Sequence, residues 1–296
     1  MELRQLKYFI EVARLEHVTR AAEELLVAQS AVSKQISNLE TELGVQLFVR
    51  EGRNVRLTPI GKAFLERIKK VMAELDQAIQ EVNEFMDPEL GEIRLGFPHS
   101  LAAYTLPIVV SAFREKHPNV SFELRQGMYT QLLRDIIQGE IDLALVSPVP
   151  EKHPEVEGHV LFTEDIYALL PPQHVLAKEG SIRLEQLKQE PFVVFRSGFT
   201  MRTIVMEACE KAGFTPKIAF EGEETDTIRG LVAAGLGVGL LPAVAINESG
   251  PINPAYVKIS EPEVTRTVGY ITSRSRKLLP AERLFRIFLA EYYHRK

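Results

Sequence analysis

The sequence has a single cysteine, Cys209, among 296 residues. That excludes an internal disulfide and any multi-cysteine zinc site. Long hydrophobic runs are missing too: no stretch approaches the ~18 unbroken apolar residues of a membrane span. The opening Met1-Glu2-Leu3-Arg4-Gln5 lacks the basic-then-apolar layout of a secretory signal, so a cytoplasmic location with no membrane partner is expected. The histidines lie scattered at 17, 99, 117, 153, 159, 174 and 294, and Cys209 falls inside a helical pattern that reads as core. With no metal-ligand cluster and no nucleophile beside a base, neither an enzyme nor a cofactor nor a metal centre is expected.

A net charge of −5 argues against a nucleic-acid partner until the chain is divided. Residues 1–70 carry 12 Lys+Arg against 9 Asp+Glu, and the remainder carries 23 against 31. A basic head of +3 on an acidic body of −8 is the asymmetry expected when only the head meets phosphate.

The head reads as helices and a hairpin. Leu6, Phe9, Ile10 and Ala13 share one side of a helix over Leu3–Leu15. Thr19 suits the cap of a second helix, with Glu23 and Glu24 placed near its positive end, and Ala21, Ala22 and Leu25 form its packing side. Ser30 suits the cap of a third helix running to about Leu43, with Val32, Ile36, Leu39 and Leu43 as the buried stripe. Its other face shows Ser33, Lys34, Ser37 and Asn38, with Gln29 and Ser30 at the N-terminal end. In a helix-turn-helix the second helix of the motif lies in the major groove and reads bases through its first residues, and Gln, Ser and Lys are suited to base edges and phosphate.

Two short alternating runs flank Gly52-Arg53-Asn54, a hairpin with a basic tip. After a helix-turn-helix this is a wing, with Arg53 reaching the minor groove or phosphate and Arg50 supporting it. Thr58-Pro59 opens a further helix. Along residues 60–86, Ile68, Val71, Leu75, Ala78, Val82 and Phe85 form a heptad seam that calls for a second copy of the chain, the alternative being packing on the chain's own body. The expected division is therefore a winged helix-turn-helix over 1–59, a linker and dimerisation helix over 60–86, and a separate domain over 91–296, which the resemblance given below implies is effector-binding.

Beyond Asp87-Pro88-Glu89-Leu90-Gly91 strands alternate with helices, an α/β pattern with parallel strands. The expected strands fall near 93–97, 120–126, 141–147, 166–170, 192–195, 218–221, 238–241 and 267–272. The expected helices fall near 101–116, 130–138, 201–212, 225–234 and 281–294. Ligands in such sheets bind beyond the carboxyl ends of strands, which singles out Ser100, Leu101, Met128, Thr130, Ser147, Thr200, Arg202 and Glu223. Ser100 is the expected helix cap and carboxylate receiver, and Arg202 the expected counter-charge. Gly235-Leu236-Gly237 precedes a strand rather than following one, so it is a turn and not a dinucleotide fingerprint.

The residues Leu6…Phe9, Ala21-Ala22, Gln29-Ser30-Ala31-Val32-Ser33, Ile36…Leu39-Glu40, Leu43-Gly44, Leu47-Phe48…Arg50 and Leu57-Thr58-Pro59…Gly61 resemble the DNA-binding domain of the LysR-type transcriptional regulators. Lys34 stands where that family more often has arginine. The order of elements behind it resembles the family's periplasmic-binding-protein-like effector domain: lobe one about 91–161 and 269–296, lobe two about 162–268, crossing near 161–165 and 266–269. The resemblance implies a homodimer or tetramer on double-stranded promoter DNA, working with RNA polymerase and a small-molecule effector. Further similarity to a nitrogen-metabolism activator within the family, in Gly96-Phe97-Pro98, Leu124-Arg125-Gln126-Gly127 and Arg266-Thr267-Val268-Gly269, implies 2-oxoglutarate or glutamate, a dicarboxylate, as that effector. Regulation of another operon is the alternative. A transport solute-binding protein explains the body but leaves the head and seam without purpose.

Overall fold

The computed structural model describes residues 1–51, 54–86, 91–246 and 253–294. They fall into two compact units, the first Met1–Gln80 with Gln138–Glu140, the second the remainder.

In the first unit α1 (Leu3–Leu15), α2 (Val18–Glu24) and α3 (Gln29–Leu43) enclose one core. Phe9 is its centre, fully buried, with the rings of Phe48 and Phe64 at 5.4 and 5.3 Å. Val12 takes a deeper place in α1 than the expected Ile10 and Ala13, which are half-buried. Ala21 and Ala22 are both buried, the small side chains that let α2 close on its neighbours.

Three expectations for the helix ends are overturned. The cap of α2 is His17, whose Nδ1 accepts from Arg20 N at 3.4 Å, so Thr19 sits inside the first turn. Glu23 and Glu24 consequently lie at the negative end of α2, where Arg14 on α1 offsets Glu24 by an ion pair. The residue before α3 is Ala28, with no side-chain cap, and Ser30 is one residue into the helix. Leu43, expected in the buried stripe, is 37% exposed because α3 runs past the core before Gly44 ends it at φ +69.

The wing pairs β1 (Phe48–Glu51) with β2 (Asn54–Leu57) antiparallel, Arg50 opposite Val55. Glu40 of α3 accepts from Leu47 N and Phe48 N at 2.7 and 3.0 Å, which anchors the start of the wing. Thr58 Oγ1 donates to Gln46 O at 2.9 Å and accepts from Gly61 N at 2.9 Å, capping α4 (Pro59–Met86). A Cβ on Gly61 would stand 2.2 Å from Leu47 O, so only glycine lets α4 start this close to the wing. Ile68, expected on the seam, is buried in the head core together with Met72; Val71 and Val82 are 53% and 67% exposed. The Phe85 side chain lies outside what is described.

In the second unit the elements are β3 (Glu92–Phe97), α5 (His99–Ala102), α6 (Thr105–Lys116), β4 (Ser121–Gln126), α7 (Tyr129–Gln138), β5 (Leu143–Val146), β6 (Val156–Leu170), β7 (Ser181–Arg183), β8 (Pro191–Phe195), α8 (Thr200–Lys211), β9 (Lys217–Gly222), α9 (Thr225–Ala233), β10 (Gly239–Pro242), β11 (Ala255–Glu261), β12 (Thr265–Ser273) and α10 (Pro280–His294). The helix expected over 101–116 is broken at Ala103-Tyr104 into α5 and α6. The strand expected over 166–170 begins ten residues earlier, at Val156. Strands β7 and β11 had no counterpart in the expectation.

One sheet runs β4-β3-β5-β12-β6. In it β3 is parallel to β4 and β5, as expected, whereas β12 is antiparallel to β5 and β6; the expected strands β8 and β9 form a second parallel pair. The far half of β6 then carries β10 and β11 antiparallel to it, and β7 lies beyond β11. The pair β8–β9 joins this side through a bridge from Phe192 to Val238. Each side has its own apolar core, one around Phe113 and Phe285, the other around Phe192 and Leu241. The body is therefore two lobes sharing β6 and β12, and 161–165 and 266–269 lie in those two strands. Gly235 and Gly237, at φ +81 and +152, form the helix-to-strand turn between α9 and β10, as expected.

Candidate DNA-reading surface and effector cleft

The amphipathic pattern of α3 decides which of its side chains are offered. Val32, Ile36 and Leu39 are buried, which leaves Gln29, Ser30, Lys34, Ser37 and Asn38 exposed and Ser33 half-buried. Gln29 Nε2 donates to Ser33 Oγ at 2.8 Å, so these two form one polar unit at the start of the helix. Thr19 is exposed at the start of α2, and Arg50 is exposed on β1. Arg56 faces Glu51 across the wing at 3.5 Å. Arg53 lies outside the described residues. The Thr58 hydroxyl is half-buried and already committed to both its capping and tethering bonds.

In the body, the chain leaves β3, β4 and β8 at a common cleft and enters α5, α7 and α8 there. The cleft is narrow, with an interior free volume of about 30 Å³. Its wall includes His99, Ser100, Met128, Tyr129, Phe199 and Thr200. Of the eight residues singled out from the sequence, Ser100, Met128 and Thr200 line it. Five do not. Leu101 is fully buried in the lobe-one core, and Thr130 is exposed one residue past the wall. Ser147 is fully buried at the end of β5, outside the wall. Arg202 is occupied by Phe195 O at 2.9 Å and Glu221 at 2.5 Å, so it cannot be the expected counter-charge. Glu223 forms an exposed pair with Arg196.

Ser100 is not a cap either, since Pro98 precedes α5. Its Oγ accepts from Arg266 Nη1 at 3.2 Å. Arg266 is fully buried on β12, pairs with Glu164 directly opposite on β6 at 2.7 Å, and Glu164 Oε2 accepts from Val244 N at 3.1 Å. Burial outweighs Glu164 and pulls the Arg266 pKa below its ordinary value. The floor of the cleft is thus tied through one ion pair to both lobes.

His99 is a second link. Its Nδ1 lies 2.9 Å from Glu224 in the opposite lobe and 2.9 Å from Gln126 Nε2 in its own. The two contacts share one nitrogen and alternate with the tautomer: a protonated Nδ1 donates to Glu224, and a bare Nδ1 accepts from Gln126 Nε2. Further along, Arg229 Nη2 donates to the Tyr104 hydroxyl at 2.6 Å. In the sequence His99 is one of the scattered histidines, with nothing to mark it as a link between lobes. Nothing in local sequence signals that Glu164 and Arg266, 102 positions apart, are partners.

Among the described residues no helix is long and apolar enough to cross a membrane, and no group of three His, Cys, Asp or Glu could hold a metal ion. Burial pushes the Cys209 thiol up to about 12, leaving it an inert core residue.

A winged helix-turn-helix joined to a two-lobed body with a cleft at its strand ends is the plan of an effector-responsive, DNA-binding regulator. Residues 3–62 match the pattern of the bacterial regulatory helix-turn-helix proteins of the lysR family, and residues 87–293 match the LysR substrate binding domain. The chain belongs to the LysR family of transcriptional regulators, which are not enzymes. It is 48% identical to the transcriptional dual regulator GltC of Bacillus subtilis over 99% of this chain and 98% of that one. Its fold is similar to that of a full-length OxyR variant from Pseudomonas aeruginosa, at a TM-score of 0.75 and 28% identity, covering 99% of this chain and 95% of that one. It is equally similar to CbnR, a LysR family transcriptional regulator, at a TM-score of 0.75 and 25% identity, covering 98% and 99% of the two chains.

Proposed function

We propose that α3 enters the major groove of promoter DNA and that the cleft takes a dicarboxylate, 2-oxoglutarate or glutamate, which biases how two heads are presented. The observation that carries the reading is the division of α3 into a buried Val32–Ile36–Leu39 stripe and an open polar face. Gln29, Ser30, Ser33, Lys34 and Ser37 meet base edges and adjoining phosphates, while Arg50, Arg53 and the exposed Thr19 hold the backbone. Thr58 acts on DNA only by placing the wing, because its hydroxyl is committed. The domain division is 1–59, 60–86 and 91–296, with lobe one about 91–161 and 269–296 and lobe two about 162–268. The exposed Val71 and Val82 of α4 supply the contact between copies in a dimer or tetramer. Promoter action in the cytoplasm brings RNA polymerase as partner.

The effector reading rests on Ser100. With its oxygen already accepting from Arg266, its proton is directed to an incoming acceptor, and a carboxylate there lies close to the buried guanidinium. Thr200 offers a second hydroxyl on the wall. The extended similarity to GltC supports nitrogen metabolism. Because the ligand spans the two lobes, it binds closed and open arrangements unequally, which is the condition for shifting a population. The test is selection of bound duplexes from a random library, followed by band shift with and without 2-oxoglutarate, glutamate and succinate. The expected result is one recovered sequence class whose binding responds to one of the first two. Recovery of no sequence class, or indifference to all three acids, contradicts it.

A further inference from the structure

Where β12 passes into α10, lobe one carries an open bowl that shares no residue with the cleft. It holds roughly 840 Å³ including its mouth, and its wall includes Arg274, Arg276, Lys277, Arg283, Arg286 and Glu157. Five cations therefore face one concavity in a body whose overall charge is −8 beyond residue 70. Their compensation is uneven. Arg276 is satisfied by Asp142 at 3.1 Å and Glu282 at 2.9 Å. Arg274 Nε is held by two neutral carbonyls, His153 O at 3.2 Å and Val156 O at 2.9 Å. Arg286 bonds the neutral Tyr270 hydroxyl. Arg283 is exposed, and no carboxylate among the described residues pairs with it, Arg274 or Arg286. Glu157, the one carboxylate on the wall, faces His159 at 3.4 Å instead.

The field of these arginines is felt nearby. Burial first, and then the positive charge of Arg286 with a smaller share from Arg274, holds the His159 imidazole below its ordinary value. Three guanidinium groups gathered with no carboxylate paired to them repel one another, and a multiply charged anion bound among them relieves that repulsion. Guanidinium forks fit phosphate oxygens bidentately. Cations gathered in one bowl suit a compact anion better than an extended acidic peptide, which needs charges strung along its length.

We propose that this bowl is a second ligand site, for a small phosphoryl-bearing molecule, separate from the effector cleft. The test is calorimetric titration of the full chain with inorganic pyrophosphate, ionic strength held constant with chloride. Saturable binding is expected. Arg283→Ala should weaken it about tenfold, the scale of one charge-assisted bond, and Arg283→Lys should restore part of the loss. Arg283 is exposed, so an unchanged melting temperature confirms that the variant is folded. Ser100→Ala in the cleft and Lys34→Ala in the head should leave the affinity unchanged, which separates this site from both surfaces described above. No saturable binding overturns the proposal. So does a loss produced by Lys34→Ala rather than Arg283→Ala, or displacement of pyrophosphate by a hexaglutamate peptide at lower concentration, which would mark a protein-docking surface.

Discussion

The polar face of α3 with its wing and the interior of the body treat charge in opposite ways. On the head, Lys34 and Arg50 stand exposed with no ion pair among the described residues. In the body, Arg94, Arg202, Arg266 and Arg276 are all engaged by carboxylates, and two of those carboxylates, Asp142 and Glu282, are themselves fully buried. An unpaired surface cation costs little in water and remains available to phosphate. A buried one must be matched, and once matched it holds segments together rather than recognising a partner. The difference teaches which substitutions should disturb recognition and which should disturb folding.

The largest effect should come from splitting the pair beneath the cleft. Arg266→Met leaves Glu164 buried without its partner and should cost about 3–5 kcal/mol in urea unfolding. The double variant with Glu164→Leu should recover much of that loss. If Arg266→Met is as stable as the parent, charge in the body is not structural and the contrast with the head fails.

Next in size is Lys34→Ala. It should lower DNA affinity about tenfold, in the range of a single good base or phosphate contact, with no change in melting temperature. An equal loss of stability would mean that this face of α3 is packed, not presented.

A pH titration sharpens the same contrast. Burial, reinforced by Asp142, raises the Glu282 carboxyl to about 7 despite Arg276 and the Leu279 amide. Because its folded value lies above its unfolded one, its contribution to stability is complete below pH 4.5 and is lost as pH rises through about 7. Glu282→Gln should flatten that decline in a melting-temperature series from pH 4.5 to 8. An unaltered slope would show that other groups set it. The smallest effect expected is that of Val82→Glu on α4, which should weaken self-association in sedimentation by a few-fold while leaving the head folded. No change there would remove α4 as the contact between copies.

How much was legible follows the same division. The head was readable because α1, α2, α3 and the wing are contiguous, and the period of Val32, Ile36 and Leu39 reports directly which face is free. Its errors were at helix ends. His17 caps where Thr19 was expected and Ala28 precedes α3 where Ser30 was expected, since a cap depends on where the backbone turns, not on the best side chain nearby. In the body, Ser100, Met128 and Thr200 could be found because strand ends are visible in the sequence. Arg202 misled because its partner Glu221 lies on β9, next to β8. The functional weight of Arg266, Glu164 and His99 was hidden, because it arises from β6 meeting β12 and from one lobe meeting the other. Ile68 misled in a related way, its spacing fitting the seam while its position along α4 put it in the head core.

Recognition of DNA depends on the open polar face of the helix that begins at Gln29. Its most direct test is the affinity of the parent and of a Ser33→Ala/Lys34→Ala double variant for the selected duplex and for a scrambled one, across a series of salt concentrations. The variant is expected to keep its fold, lose most of its preference for the selected duplex, and show a shallower salt slope by about one phosphate contact. A double variant that keeps both the preference and the slope would contradict it.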